Sequence, residues 1–264
     1  MRQIILLMLN SLTFIFVLLL NYLTGTGAIN NTSVGEISDR YHNLFTPAGY
    51  AFAIWGLIYL LLFVFVGYQW YAWIKKRDNE YLKATGIWFI ISNFANGMWI
   101  IAWTNDRIGL SFFLILLLLV SLMMLMFRLR LEVWDAPVRI IAFVWWPVCI
   151  YLGWIVVATM ANLAAFSVSL NPAGAFALQE VWVVVMIAFA AVIYGLLVYF
   201  RNMREAAMVG IWALVAIAVN QWQESPVVAY AAVFASGALL IYSALQAYRN
   251  RETLPHKKII RGEI

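Results

Sequence analysis

The sequence predicts an all-α protein that crosses a membrane several times. Its residues are 65% hydrophobic and only 11% charged, and its mean hydropathy is +0.87. Soluble domains contain about 25% charged and about 45–50% apolar residues. Several separate apolar runs reach the ~20 residues that a helix needs to cross a bilayer. The predicted class is therefore a polytopic helical membrane protein with about eight transmembrane helices.

Polar loops separate these apolar runs. The first run would also suit a secretory signal peptide, with cleavage after Ala28 leaving seven spans. It is longer than the usual h-region of about 7–15 residues, so we favour a retained helix. The eight predicted spans are 4–23, 47–74, 85–104, 108–127, 140–166, 178–200, 205–222 and 226–248.

The distribution of Lys and Arg predicts both termini on the cytoplasmic side. With a cytoplasmic N-terminus, 15 of the 17 Lys and Arg residues lie inside, and only Arg40 and Arg107 lie outside. Cytoplasmic loops carry such an excess of basic residues. We therefore expect an integral protein of a bacterial inner membrane, with a basic cytoplasmic tail over 249–264. The net charge of +5 is explained by this bias and does not indicate a nucleic-acid partner.

The apolar centres of the predicted spans contain no Asp, Glu, Lys, Arg or His. Ion-coupled transporters normally carry such groups there, and nucleophilic or metal-assisted hydrolysis also needs side chains that these runs lack. A lone cysteine, Cys149, excludes an intramolecular disulfide, and the two His residues, both outside the spans, argue against a His-based metal site. The composition favours a binding protein over an enzyme but leaves an enzymatic role open.

The stretch 45–59, which joins a polar loop to the second span, places three aromatic rings on one helix face. Phe52, Trp55 and Tyr59 follow at i, i+3 and i+7. Pro47 is expected in the first turn of this helix, where a missing amide hydrogen costs nothing. Such a face is most often a packing surface. The alternative is one wall of a pocket for an apolar ligand.

Uncharged polar residues occur inside the spans beside further aromatic residues. Asn96 lies in the third span and Asn162 in the fifth. Interhelical hydrogen bonds from buried Asn contribute about 0.6–2 kcal/mol in membranes, so a structural role is one interpretation. The other is that these amides orient a ligand within an aromatic cage.

Three short motifs occur in the second, third and fifth predicted spans. They are Pro-x7-Trp-Gly-x-x-Tyr from Pro47 to Tyr59, Asn-x-x-Trp from Asn96 to Trp99, and Tyr-Leu-x-Trp-x7-Asn from Tyr151 to Asn162. In this order and spacing they resemble the tryptophan-rich sensory protein family, TspO/MBR. The resemblance covers about residues 1–166, and it implies a five-helix bundle whose pocket opens beneath the loop 25–46, acting as an extracytoplasmic lid.

The resemblance also implies a ligand class and a set of site residues. The family binds porphyrins and sterol-like apolar molecules and is tied to the sensing or handling of tetrapyrroles. No cofactor is certain, but a bound porphyrin or haem is what the resemblance suggests. By motif position and shared helix face, the expected ligand-binding residues are Phe52, Trp55, Tyr59, Asn96, Trp99, Trp154 and Asn162.

The chain departs from the short family members in two places. The fourth span lacks the acidic residue that members often carry, and residues 167–248 predict three additional transmembrane helices. We expect these helices to form a separate packing layer outside the pocket. Small residues suit close helix contact, so bulky residues at Gly195, Gly210 or Gly237 should disturb assembly. A patch at Ser236 and Gly237 leaves a homodimer open.

The leading hypothesis is a membrane receptor or sensor that binds a flat apolar ligand such as a tetrapyrrole. Flat rings stack on Trp faces, and the burial of apolar area supplies most of the affinity. Two alternatives remain at this stage: a permease or transporter component for such ligands, and a porphyrin-degrading activity. The lipid bilayer and an apolar small molecule are the expected partners.

Overall fold

The computed structural model describes residues 2–29, 31–77, 80–251 and 255–262. Residue 30 of the predicted lid and residues 252–254 and 263–264 of the predicted tail lie outside this part of the chain. All regular structure in the described residues is helical, which confirms the all-α class. Eight long helices correspond to the eight predicted spans: α1 (Arg2–Gly25), α2 (Ile54–Ile74), α3 (Trp88–Thr104), α4 (Ile108–Arg128), α5 (Trp146–Leu170), α6 (Glu180–Arg201), α7 (Arg204–Gln221) and α8 (Pro226–Arg249).

Six helical segments in the described residues are long and apolar enough to cross a membrane. They contain α1, α2, α4, α5, α6 and α8. The other two predicted spans form shorter or more polar helices: α3 has 17 residues, and α7 carries charged residues at its start and amides at its end. Both helices pack against their neighbours over much of their length. Their polar side chains Asn93, Asn96 and Gln221 are buried in these contacts. An eight-span topology stays a prediction.

The second long helix begins later than its sequence indicates. Pro47 lies in irregular backbone before a 3₁₀ turn, Gly49–Ala53, so the expectation that Pro47 occupies the first helical turn is wrong. The amide of Ala48 donates to the carbonyl of Ala216 in α7 over 3.0 Å. This long-range bond holds the backbone in the loop, and the helix starts only after it.

The fifth long helix is the buried centre of the bundle. It packs against α2, α4 and α7. In the segment Val138–Leu170, which contains α5, 78% of an apolar stretch of 18 residues is buried. A widened π turn, Ile141–Trp145, precedes it. Pro147 has no amide hydrogen to donate to the preceding turn, so a regular α-helix cannot run unbroken through this point. α5 thus connects the first four helices to the last three.

The last three helices pack on one another and, through α7, on α5. At Gly153 in α5, an added Cβ would lie 2.8 Å from the carbonyl oxygen of Ala206. The hydroxyl of Tyr194 donates to the carbonyl of Gly153 over 2.7 Å. A side chain at residue 153 would therefore push α7 away, because the two backbones touch there.

Of the three glycines that the sequence predicted to be closely packed, only Gly210 has close neighbours. A Cβ at Gly210 would lie 2.4 Å from the ring of Tyr194. Gly195 and Gly237 face open space, with no atom within 4 Å of an added Cβ. The expectation of close packing at these two glycines is wrong because both lie on the outer surface of their helices.

Candidate ligand-binding site

A cluster of stacked aromatic rings lies between α2, α3 and α5. Trp55 is at its centre, with its ring stacked on those of Tyr59 and Trp99 at centroid distances of 5.6 and 5.7 Å. Trp99 in turn stacks on Trp103 at 6.1 Å, and Trp154 meets Trp55 edge-on at 6.3 Å. Such pairs contribute about 0.5–1.5 kcal/mol beyond their buried area. The three sequence motifs therefore meet in one aromatic cluster.

A small apolar cavity lies beside this cluster. Its volume is about 30 Å³, which is room for about two or three waters, because one water needs about 10–15 Å³ of such space. The side chains around it are aromatic or aliphatic apart from four uncharged polar ones. The lining comprises Val34, Ser38, Asn43, Thr46, Pro47, Phe52, Trp55, Trp99, Trp103, Trp154, Val157, Ala158, Ala161, Asn162 and Ala165.

Five of the seven residues expected at the site line this cavity: Phe52, Trp55, Trp99, Trp154 and Asn162. The other two, Tyr59 and Asn96, lie behind them. The amide of Asn96 donates to the hydroxyl of Tyr151 over 2.7 Å and to that of Tyr59 over 3.3 Å. This pair of bonds joins α2, α3 and α5 behind the aromatic wall.

The sequence-based selection missed one aromatic residue of the cavity and every contribution from the lid. Trp103 follows Trp99 at i+4 on the same helix face, a spacing that would have identified it. Val34, Ser38 and Asn43 come from a loop whose sequence shows no periodic pattern. Their position depends on contacts with residues far along the chain.

Both polar atoms of the Asn162 side chain have hydrogen-bond partners in the protein. Its carbonyl oxygen accepts from the indole N–H of Trp99 over 3.1 Å and from the hydroxyl of Ser111 over 3.3 Å. Its amide donates to the carbonyl of Ala158 over 3.0 Å. These bonds connect α3, α4 and α5 and fix the ring of Trp99.

The polar atom of the Trp154 side chain, unlike those of Asn162, has no hydrogen-bond partner in the described part of the chain. This atom is the indole nitrogen, and the side chain is 2% exposed. A buried donor without an acceptor costs about 1–3 kcal/mol. Because Trp154 also lines the cavity, an acceptor placed there would remove that cost.

A short helix, Val34–Arg40, covers the cavity and is called the lid helix below. A capping box fixes its start: the amide of Ser33 donates to the carboxylate of Glu36 over 2.6 Å, and the amide of Glu36 donates to the hydroxyl of Ser33 over 3.1 Å. The hydrogen bond from the Ser33 backbone amide, and then the interaction of the Ser33 side chain with the carboxylate, lower the pKa of Glu36. The indole of Trp103 donates to the carbonyl of Val34 over 3.1 Å, which attaches the lid helix to α3.

Two exposed polar contacts hold the outer edge of the lid. Arg40 pairs with Asp106 at 2.9 Å, and the ring of His42 hydrogen-bonds Glu224 at 2.8 Å. Exposed pairs of this kind contribute about 0–1 kcal/mol each. Both contacts therefore position the lid, but little free energy is needed to break them when the lid opens.

The later helices hold the inner end of the same loop. The side chain of Asn220 in α7 donates to the carbonyl of Thr46 over 3.0 Å, beside the bond between Ala48 and Ala216. The amide of Leu44 donates to the carbonyl of Ala177 over 3.1 Å. Among the described residues, none after Ala165 lines the cavity. The additional helices thus position the lid without forming the cavity wall.

The cavity offers apolar contact, ring stacking and a few hydrogen bonds. Its described lining contains no carboxylate, amine, imidazole or thiol, and the described residues contain no group of three or more metal-ligating side chains placed for an ion. These side chains can hold a flat apolar group by burial and stacking. They include the hydroxyl groups of Ser38 and Thr46 but no carboxylate or imidazole that could activate a hydroxyl as a nucleophile.

The fold and this site define a polytopic helical membrane protein with an aromatic cavity beneath a lid. The family model described as TSPO-like protein matches residues 6–245. The chain belongs to this family, which confirms the resemblance of its three motifs. The match continues beyond residue 166 through α6, α7 and most of α8, so the family model includes the additional helices. No curated protein and no solved structure matched the chain.

Proposed function

We propose that this TSPO-like protein is a membrane receptor or sensor that binds a flat apolar ligand in the aromatic cavity, with a porphyrin or haem as the leading ligand class. The observation that supports this most is the continuous stack of Tyr59, Trp55, Trp99 and Trp103. A planar macrocycle would extend this stack, and its apolar surface would be buried against the protein. Such burial contributes about 25 cal/mol per Å² of apolar area.

Binding requires the cavity to enlarge, because ligand pockets usually measure about 300–1,000 Å³. The lid helix is the part that can move most easily. Its outer contacts, Arg40 with Asp106 and His42 with Glu224, are exposed and weak. Its displacement would expose the edges of Trp99 and Trp103 while leaving the helix bundle intact.

The test is a titration of the full chain in detergent with protoporphyrin IX and with haemin. Trp fluorescence and the porphyrin absorption band would be followed together. We expect saturable quenching with one ligand per chain in the unaltered protein and weaker binding in Trp55→Ala. Trp182→Ala is the matched control, because Trp182 is 53% exposed on α6. Equal affinity in a Trp55→Ala, Trp154→Ala double variant that melts normally would refute this site.

The same samples report on a degrading activity. Progressive loss of the porphyrin absorption in the unaltered protein, but not in Trp55→Ala, would indicate degradation in place of simple binding. A stable absorption band with saturable quenching supports a receptor.

A further inference from the structure

A second cavity, of about 230 Å³, lies at the end of the bundle opposite the lid. It lies among the loop 129–137, the first turn of α7 and a short C-terminal helix, Pro255–Ile260. The predicted topology puts this end in the cytoplasm. Seven of its thirteen lining residues are charged or carry an amide, whereas the described lining of the aromatic cavity has no charged residue.

Four buried polar atoms around this cavity have no hydrogen-bond partner in the described part of the chain. Two are carboxylate oxygens, one from Glu132 and one from Glu205, and two are donors, the Nε of Arg204 and the indole nitrogen of Trp145. Trp145 is 1% exposed, so its N–H has no access to bulk water. Each such group costs about 1–3 kcal/mol when it stays unpaired. Four of them on one cavity indicate an occupant with both acceptors and donors.

The neighbouring charges do not satisfy these atoms. Lys258 is 1% exposed, and it contacts the carboxylate of Asp135 and donates to the carbonyl of Ala136. That contact pairs Lys258 with Asp135. Burial first, and then the nearby Glu205, raises the pKa of Glu132 to about 8 against the opposing effect of Arg204 and Lys258. The site thus offers one oxygen of each of two carboxyl groups and the Nε of one guanidinium without a hydrogen-bond partner among the described residues.

Two indole rings give the cavity apolar walls. Trp134 and Trp145 meet edge-to-face, with ring centroids 5.6 Å apart and planes at 87°. Trp134 is 38% exposed and the side chain of Asp135 is 60% exposed, so the cavity is reached from the aqueous side. Indole faces attract organic cations, and carboxylates do so more strongly.

We propose that this cavity binds a small zwitterionic aminocarboxylate, with its ammonium group at Glu132 and Glu205 and its carboxylate at Arg204 and Trp145. A simple organic cation would leave both buried donors unpaired. A simple anion has no donor to offer the unpaired oxygens of Glu132 and Glu205. A zwitterion satisfies all four atoms and adds no net charge to the cavity.

The experiment compares ligands on the unaltered full chain in lipid nanodiscs by titration calorimetry. The probes are glycine, β-alanine, 4-aminobutyrate and 5-aminopentanoate, with butylamine and butyrate as analogues that carry one charged end each. We expect at least one zwitterion to bind at least tenfold more tightly than either analogue. Equal binding of butylamine would show an organic-cation site and overturn the proposal. No zwitterion binding up to 50 mM would show a cavity that holds water only, and would overturn it too.

Variants then locate the binding. Arg204→Gln and Glu205→Gln should each weaken the best zwitterion at least tenfold, while Glu180→Gln, an exposed acid in the first turn of α6 at the other end of the bundle, should change nothing. Unchanged affinity in both of the first two variants would place the binding elsewhere and refute the assignment. A thermal melt of each variant checks its fold, and the ligand comparison on the unaltered chain is independent of variant folding.

Discussion

Trp154 and Asn162 lie two turns apart on α5, and their hydrogen bonding separates a ligand contact from a structural one. Asn162 accepts from Trp99 and Ser111 and donates to Ala158, so its polar atoms are occupied by protein. Trp154 leaves its indole N–H unpaired beside the cavity. We infer that Asn162 shapes the aromatic wall and that Trp154 is the polar contact offered to a ligand.

Substitution of Trp154 should lower porphyrin affinity in a graded way. Trp154→Ala removes a large apolar contact, and we expect a loss of about 1–3 kcal/mol in binding free energy. Trp154→Phe keeps a smaller aromatic face and should weaken binding modestly. Fluorescence titration of both variants and the unaltered chain measures the three porphyrin affinities, which should fall from the unaltered chain to Trp154→Phe to Trp154→Ala. Binding that is unchanged in Trp154→Ala would contradict it.

The raised pKa of Glu132 predicts a pH-dependent stability. Its ordinary pKa is 4.5 and its folded pKa is about 8, so the folded chain holds a proton that the unfolded chain releases between these values. Stability from this group is therefore full below about pH 4.5 and is lost as the pH rises toward 8. One unit of pKa difference corresponds to about 1.4 kcal/mol.

Thermal melts between pH 5 and pH 9 test this sign. The unaltered chain should melt at a lower temperature as the pH rises, and Glu132→Gln should flatten the profile because its amide does not titrate. The groups that face Glu132 and modify the effect are Glu205, Arg204 and Lys258. An equally steep profile in the Gln variant would assign the dependence to another group.

At the scale of single elements, the lid depends on α7 for its position. Asn220→Ala removes the bond to the carbonyl of Thr46, and we expect it to loosen the lid by about 0.5–1.5 kcal/mol. Trypsin should then cleave after Arg40 several times faster. Asn105→Ala is the matched control, because its exposed amide bonds only the carbonyl of Ile101 in its own helix. Equal cleavage rates in the two variants would show that α7 does not hold the lid.

Close packing between α6 and α7 gives a prediction about glycine. Gly210→Leu must displace the ring of Tyr194, which lies 2.4 Å from the position of a Cβ, and overpacking of this kind costs about 1–3 kcal/mol. Gly195→Leu enters open space on α6 and should be nearly neutral. Melting temperatures of the two variants in detergent measure the difference. A comparable loss in Gly195→Leu would mean that this face is also packed.

For the whole molecule, the excess of Lys and Arg in alternate loops predicts eight spans with both termini in the cytoplasm. A fluorescent reporter fused after the last residue should be active inside the cell, and a phosphatase fused there should be inactive. The opposite result would refute this topology. The helices α3 and α7 are then the segments to re-examine, because they are the two that are short or polar.

Hydropathy and helical spacing predicted the long helices and the shared face of Phe52 and Trp55, because both signals are local in sequence. The resemblance of the three motifs to the family assigned Trp99 and Trp154 to the same site. Long-range contacts were not predictable in this way. Pro47 stays outside the helix because Ala48 bonds Ala216. The cavity at Trp145 combines three segments separated by many residues. Lys258, which lies in the predicted tail, is 1% exposed there.

The bond between Thr46 and Asn220 joins residues 174 positions apart, and this separation imposes an order of events during synthesis. A chain grows at about 5–20 residues per second, so roughly 9–35 s pass between the making of the lid and the making of its partner in α7. All of the aromatic residues of the cavity exist before that moment. The newly made protein therefore passes through a stage in which the aromatic wall of the proposed ligand site exists while the lid still lacks its bond to α7.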